Sequence, residues 1–144
     1  MKQIKILMVD ENEIMRFYFR DSFWLHSERD EYELRFASDF VQAQQILREP
    51  ETFFDIIFLD LVLHITHKNR LVLDPEAGLK LIAQIRSMPK FKNTKIVVFS
   101  SKQYFHLWKK AKKLGANFFL KSEEYLPRYL VKWVEKIFKE KSAQ

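Results

Sequence analysis

Four polar spots stand where apolar runs of this 144-residue chain end. Ile4–Val9 gives way to Asp10-Glu11, the run FFDIIFL to Asp60, Lys95–Phe99 to Ser100-Ser101, and Asn117–Leu120 to Lys121. The runs are short and rich in β-branched and aromatic residues, the pattern of strands buried on both faces. As parallel strands of one sheet they would bring all four spots to its carboxyl edge, where open α/β sheets place ligands and chemistry. Three carboxylates gathered there repel one another and raise one pKa unless a cation neutralises them. Oxygen donors without His or Cys favour a hard ion, Mg²⁺ above all, which keeps waters and accepts a phosphate oxygen. A hydroxyl and the Lys121 ammonium can take the remaining phosphate oxygens. The set suits a phosphoryl group held on Asp60, with the carboxylate as nucleophile and Mg²⁺ and Lys121 offsetting the charge.

The elements between these spots read as helices. Glu13 to about Leu25 has Ile14, Phe17, Tyr18 and Leu25 at helical spacing. Tyr32–Ala37 alternates apolar and charged residues, as a half-exposed edge strand does. Ser38 can cap a helix to about Arg48 with Ala43, Ile46 and Leu47 inward, and Pro50 stops it. The central strand follows at about Phe54–Leu59. Asp74-Pro75-Glu76 is a helix start, with Leu81, Ile82, Ile85 and Met88 as the apolar stripe. Lys102–Leu114 reads as a helix with Tyr104, Leu107, Trp108, Ala111 and Leu114 inward, ended by a left-handed Gly115. A last helix spans about Glu124 to Lys139, with Leu126, Leu130, Trp133, Val134 and Ile137 inward, and 141–144 fray. Trp24, Trp108 and Trp133 are expected in the core. Strict alternation of strand and helix predicts an α/β domain: a doubly wound five-stranded parallel sheet, flavodoxin-like with order 2-1-3-4-5, and five helices.

Composition narrows the class. With 47% hydrophobic and 31% charged residues the chain suits one globular domain over 1–144. It has no cysteine, so disulfides and thiolate metal sites are excluded. No apolar run approaches membrane-spanning length and no leader pattern opens the chain, so a cytoplasmic location with no membrane contact is expected. The net charge of +6 hides an asymmetry: residues 1–60 carry 7 basic and 13 acidic side chains, residues 61–144 carry 18 and 6. We read these as solvated helix faces and expect no direct nucleic-acid contact.

The acidic pair in MVDEN, Asp60 in IIFLDL, Ser100 in VVFSS and Lys121 in GANFFLKS, each at a strand end and in this order, resemble the receiver domain of two-component response regulators over essentially the whole chain. The resemblance implies a signalling phosphoacceptor that catalyses only its own phosphorylation and dephosphorylation. Asp60 would take a phosphoryl group from a sensor histidine kinase or histidine phosphotransfer protein. Glu11, Asp60 and the Val62 carbonyl would ligate Mg²⁺, with Asp10 acting through water. Lys121 would pair with the phosphate, and Ser100 would move to hydrogen-bond it. Ser101 would leave access for the donor, and Phe118 would turn inward as the switch aromatic. The surface of the last two helices and fifth strand would bind a downstream protein, with Phe105, Lys109, Lys112 and Lys113 on it. No output module follows the fifth helix, so a stand-alone receiver is expected.

The chain departs from the family at four places. Glu11 stands where Asp is commoner, and Ser122 follows Lys121 where Pro is usual, so a cis peptide is not expected there. Gly115 to Lys121 is one residue tighter, which leaves Phe118 and Phe119 as rivals for the switch position. The stretch from Asp60 to Gly78 is about ten residues longer than usual, and loops this long are often functional. Within it, at about 61–75, Leu61–Thr66 and Leu71–Asp74 flank the turn-like His67-Lys68-Asn69-Arg70 and predict a β-hairpin arm, read either as a partner or homodimer contact or as a loop lying over the domain. His64 and His67 read as solvated. A flavin or dinucleotide enzyme would want a glycine- or hydroxyl-rich phosphate loop where Asp10-Glu11 stands, and no GxGxxG exists. The alternative within the family is a degenerate receiver that works as an interaction module without phosphorylation.

Overall fold

The computed structural model describes residues 3–26, 31–99, 105–120 and 127–142. In chain order these form β1 (Ile4–Val9), α1 (Glu13–His26), β2 (Tyr32–Ala37), α2 (Phe40–Arg48), β3 (Ile56–Asp60), β4 (Leu63–His67), β5 (Arg70–Asp74), α3 (Ala77–Ser87), a 3-10 turn (Pro89–Phe91), β6 (Lys95–Phe99), α4 (Leu107–Leu114), β7 (Phe118–Phe119) and α5 (Pro127–Ser142). Five strands make one parallel sheet in the order β2-β1-β3-β6-β7. This is the expected doubly wound order, with β4 and β5 as the inserted hairpin.

Successive residues of a strand face opposite sides, so a strand apolar at every position needs a layer of helices on each face. Leu7, Val9, Ile57, Leu59, Ile96 and Val98 enter the core shared with α2, α3 and α4. Ile6, Met8, Ile56, Phe58, Val97 and Phe99 enter the other, filled by Phe19 and Phe23 of α1 and Leu130, Val131 and Val134 of α5. The parallel arrangement brings the ends of β1 and β3 to one edge. At the opposite end Arg86 ties α3 to the sheet, donating to the carbonyls of Phe91, Thr94 and Gly115 and to the Asn117 side chain.

The α1 face differs from expectation. Ile14, Phe17 and Leu25 are exposed, as is Trp24 at 75%, while Phe19, Ser22 and Phe23 are buried. The helix carries two sets of apolar residues at helical spacing, and the sheet selects the one with Phe19, whose ring meets Phe58 at 4.7 Å, and Phe23, which meets Tyr32 at 5.0 Å. Ser22 is tolerated inside because its hydroxyl donates to the Tyr18 carbonyl. Leu114 is likewise exposed, at the end of α4.

Four helix boundaries also shift. Asp39, not Ser38, caps α2, accepting from the Gln42 N–H, while Ser38 bonds the Gln42 side chain. Asp74 closes β5 and accepts from the Glu76 N–H, so α3 starts only at Ala77. α5 continues past Lys139 to Ser142. α4 begins only at Leu107, with Phe105 and His106 in a turn ahead of it, so the helix expected from Lys102 is shorter than read. Lys102 and Tyr104 themselves, and the expected start of the last helix at Glu124 with Leu126, lie outside the described residues. Gly115 is left-handed as expected, with φ 117°.

The insertion is an antiparallel hairpin with Lys68 and Asn69 at its turn, both at positive φ (51° and 63°), the signature of a type I′ turn. Its inner strand β4 belongs to the core: Leu63 is fully buried and Ile65 packs against the α2–α3 side. Its outer strand β5 is exposed. Leu63→Ala is expected to cost about 2–5 kcal/mol in urea unfolding, and Leu71→Ala to stay within about 0.5 kcal/mol. Equal effects would contradict this division of the arm.

Candidate functional site

The carboxyl edge between β1 and β3 is built from the backbone outward. Past Asp60, the Leu61 N–H donates to the Phe99 carbonyl of β6 and the Leu61 carbonyl accepts from the Gly78 N–H of α3. Leu61 is buried, so the loop after Asp60 is fixed from both sides. Gly78 allows this approach. A Cβ there would lie 2.5 Å from the Leu61 Cα and 2.9 Å from the Asp60 carbonyl oxygen, so a larger residue would push α3 off the loop. At the end of β1, Asn12 caps α1 through its side chain, and the Arg16 guanidinium donates to the Asp10 carbonyl at 2.7 Å.

The structure brings Asp10, Glu11 and Asp60 together and binds each differently. Asp10 is buried and accepts the Asn12 N–H on Oδ1 at 2.8 Å. Burial pushes its carboxyl up, opposed by that N–H and by Arg16. Asp60 accepts the Val62 N–H on Oδ1 at 3.0 Å. Burial lifts its carboxyl to about 7, and the charges of Asp10 and Glu11 push the same way against the Val62 N–H. Glu11 is occupied by the hairpin: His64 donates its backbone N–H to Oε2 at 2.8 Å, and its ring Nδ1 meets Oε1 at 2.9 Å. His64, read as solvated from the sequence, is thus the arm's tie to the acidic pair. The separation of 53 residues leaves no local signal for it. Asn12 and Gly78 did carry signals, a side-chain cap ahead of Glu13 and a glycine at a helix start.

Ser100, Ser101 and Lys121, with Ser122, lie outside the described residues. Phe118 and Phe119 fall on opposite faces of the sheet. Phe118 turns into the α1–α5 layer, edge-on to Trp133 at 5.3 Å. Phe119 lies on the α4 side against Phe105 and Trp108, at 5.2 and 5.8 Å. Phe105, Lys109, Lys112 and Lys113 are exposed on or beside α4. A groove between α3 and α4 is lined by Leu79, Ala83 and Leu114 together with Lys80, Lys110 and Lys113.

The donor set suits a hard divalent cation. It is oxygen-only, its charges repel, and Asp10 and Asp60 each have a second oxygen not used in the bonds above. Among the described residues, no three acidic or imidazole side chains close on a single cation position, and Glu11 is turned onto His64.

No protein-family model matches the chain, and no curated protein sequence matches it. Solved structures do. The phosphorylated cyanobacterial phytochrome response regulator RcpA is 22% identical with a TM-score of 0.72, over 95% of this chain and 94% of that one. The chemotaxis response regulator CheY4 of Vibrio cholerae is 19% identical with a TM-score of 0.73, over 95% of this chain and all (100%) of that one. The Mn(2+)-bound form of response regulator Rcp1 is 19% identical with a TM-score of 0.68, over 94% of each chain. The chain therefore has the fold of a CheY-like response-regulator receiver domain across nearly its whole length.

The raised Asp60 carboxyl makes stability depend on pH. A carboxyl lifted from 3.8 to about 7 holds its proton more tightly in the folded state, so its stabilising contribution is complete below about pH 4 and is lost as pH rises through about 7. With a chelator present, Asp60→Asn is expected to be more stable than the parent above pH 7 by about 2–4 kcal/mol. The gap should close toward pH 4. Urea titrations at several pH values check this, and a gap independent of pH would contradict it.

Proposed function

We propose that the protein is a receiver that accepts a phosphoryl group on Asp60 from the phosphohistidine of a sensor kinase or phosphotransfer protein. The observation that supports it is a buried acid at the end of the central strand, beside two further acids, on a receiver fold. A carboxylate oxygen of Asp60 attacks phosphorus, the P–N bond breaks, and the imidazole nitrogen leaves with its electron pair. Asp60 must be ionised to attack. Its proton, held up to about pH 7 by burial and neighbouring charge, therefore has to be displaced.

Asp10 and Asp60, with the Val62 carbonyl and Glu11 once it leaves His64, are the groups that would hold Mg²⁺. When bound, the ion neutralises the cluster and the phosphoryl oxygens. Lys121 and Ser100 are assigned to the phosphate, Ser101 to donor access, and Phe118 or Phe119 to the response behind it. The output surface is α4, β7 and α5, where Phe105 and the lysines of α4 suit an acidic downstream protein. Among the described residues no helix is long and apolar enough to cross a membrane, and we assign the protein to the cytoplasm.

With Mg²⁺ and a small-molecule phosphodonor such as acetyl phosphate, the protein is expected to gain one phosphoryl group by intact mass, and Asp60→Asn to gain none. Absence of labelling by small donors and kinases alike would favour the second reading, a receiver that signals without phosphorylation. Glu11 held by His64 is the observation that favours that reading. If Glu11 must leave the His64 ring for a cation, His64→Ala, which removes the ring contact and keeps the main-chain N–H, should bind Mn²⁺ several-fold more tightly by titration calorimetry, and unchanged or weaker binding would rule out competition from the ring.

A further inference from the structure

The outer strand of the arm is an open edge. Among the described residues β5 pairs with β4 alone in a two-stranded sheet, and β4 lies between it and the core. Leu71, Val72 and Leu73 are 75%, 43% and 45% exposed, three apolar residues in a row on an unprotected edge. Natural sheets avoid such edges unless something covers them.

The free backbone groups follow from the turn. A two-residue I′ hairpin closes on a pair that exchanges both its hydrogen bonds, here His67 with Arg70. Alternation then makes Ile65–Val72 and Leu63–Asp74 the next such pairs. Arg70, Val72 and Asp74 thus direct their N–H and C=O toward β4, while those of Leu71 and Leu73 point away from it.

The sequence of this edge complements itself. Arg70-Leu71-Val72-Leu73-Asp74, run antiparallel to a second copy about a two-fold axis at Val72, sets Leu71 opposite Leu73, Val72 opposite Val72 and Arg70 opposite Asp74. The outward N–H and C=O of Leu71 and Leu73 meet those of the copy in four backbone hydrogen bonds. The four leucines share one face and the two valines the other. Arg70 has no ion-pair partner among the described residues. In the pair it gains the copy's Asp74, whose Oδ2 the Lys80 ammonium already holds at 2.8 Å. A shift of two residues in either direction loses both charge pairs, so the register is fixed by chemistry.

We propose that two copies of this chain associate through β5, forming a four-stranded antiparallel sheet β4-β5-β5-β4 about a two-fold axis. The contact is small beside a standard interface of about 1,600 Å², so it forms a weak dimer. Since β4 carries His64, the shared sheet joins the Glu11 contacts of the two copies.

The full chain is tested by sedimentation velocity and by cross-linking. The parent should dimerise as its concentration rises to about 100 μM. Leu71→Pro, which removes an outward N–H and no hairpin hydrogen bond, should be monomeric with unchanged circular dichroism. Arg70→Glu, a change at an exposed side chain, should weaken the dimer at least tenfold. The chain has no cysteine, and the axis sets residue 72 opposite itself at a Cα separation of about 4.5 Å, inside the disulfide range. Val72→Cys should therefore form a covalent dimer under mild oxidation, in far higher yield than Leu71→Cys. A parent that stays monomeric over this range, a dimer that survives Leu71→Pro, or equal cross-linking at 71 and 72 would each overturn the proposal.

Discussion

Repulsion among Asp10, Glu11 and Asp60 is the constraint that shapes the rest of the molecule. Each of these acids would be at ease in water. The sheet denies Asp10 and Asp60 that, because its buried strands demand cover on both faces, and the cover walls in the edge where the chain emerges. Burial then makes the charges costly, and proximity adds to the cost. The fold meets this with local donors: the Asn12 N–H for Asp10, the Val62 N–H for Asp60, and a histidine from the insertion for Glu11. What these donors leave uncompensated appears at Asp60, whose carboxyl remains lifted to about 7. Of the three acids, the one that carries the proposed chemistry is therefore the one these donors compensate least.

Rigidity around Asp60 has the same origin. The Leu61 backbone is bonded to β6 on one side and to α3 on the other, and Gly78 lets the helix start close enough to do so. The result fixes where an incoming group must approach, the positional requirement on which in-line transfer depends. The insertion grows out of this fixed point. It leaves the loop at Val62, commits Leu63 and Ile65 to the core, and turns back at Lys68-Asn69 to reach α3. An insertion anchored by Leu63 and Ile65 of its inner strand extends the core rather than hanging from it, while His64, Thr66 and His67 of β4 and most of β5 are left as surface.

Much of this was legible in the sequence wherever one residue period allows one answer. Lys95–Phe99 and Ile4–Val9 are strands as read, because each has four consecutive apolar residues, Ile96–Phe99 and Ile6–Val9, bounded by polar ones, and such a short run suits little else here. The hairpin was legible because its polar turn separates two β-prone runs. The α1 face was not, since Ile14-Phe17-Tyr18-Leu25 and Met15-Phe19-Phe23 are both helical stripes and only packing on Phe58 and Tyr32 decides between them. The acids were legible by type and position at strand ends. Their partners were not: His64 reaches Glu11 across 53 residues, a contact set by the trajectory of the hairpin and not by any local pattern.

That contact bears on how strongly the arm and a cation can influence one another. Both Glu11 oxygens are engaged by His64, so on the proposed reading Glu11 cannot serve both at once, and each weakens the other by the same free energy. The size is bounded. Hydrogen bonds to a charged group contribute about 1.5–3 kcal/mol each, and the His64–Glu11 pair is partly exposed, which lowers the figure. The burial of Leu63 and Ile65 does not pass through Glu11 at all. The Glu11 side chain can therefore leave both the His64 ring and its main-chain N–H without undocking β4, and the coupling is a change of partners for that one side chain rather than an opening of the arm.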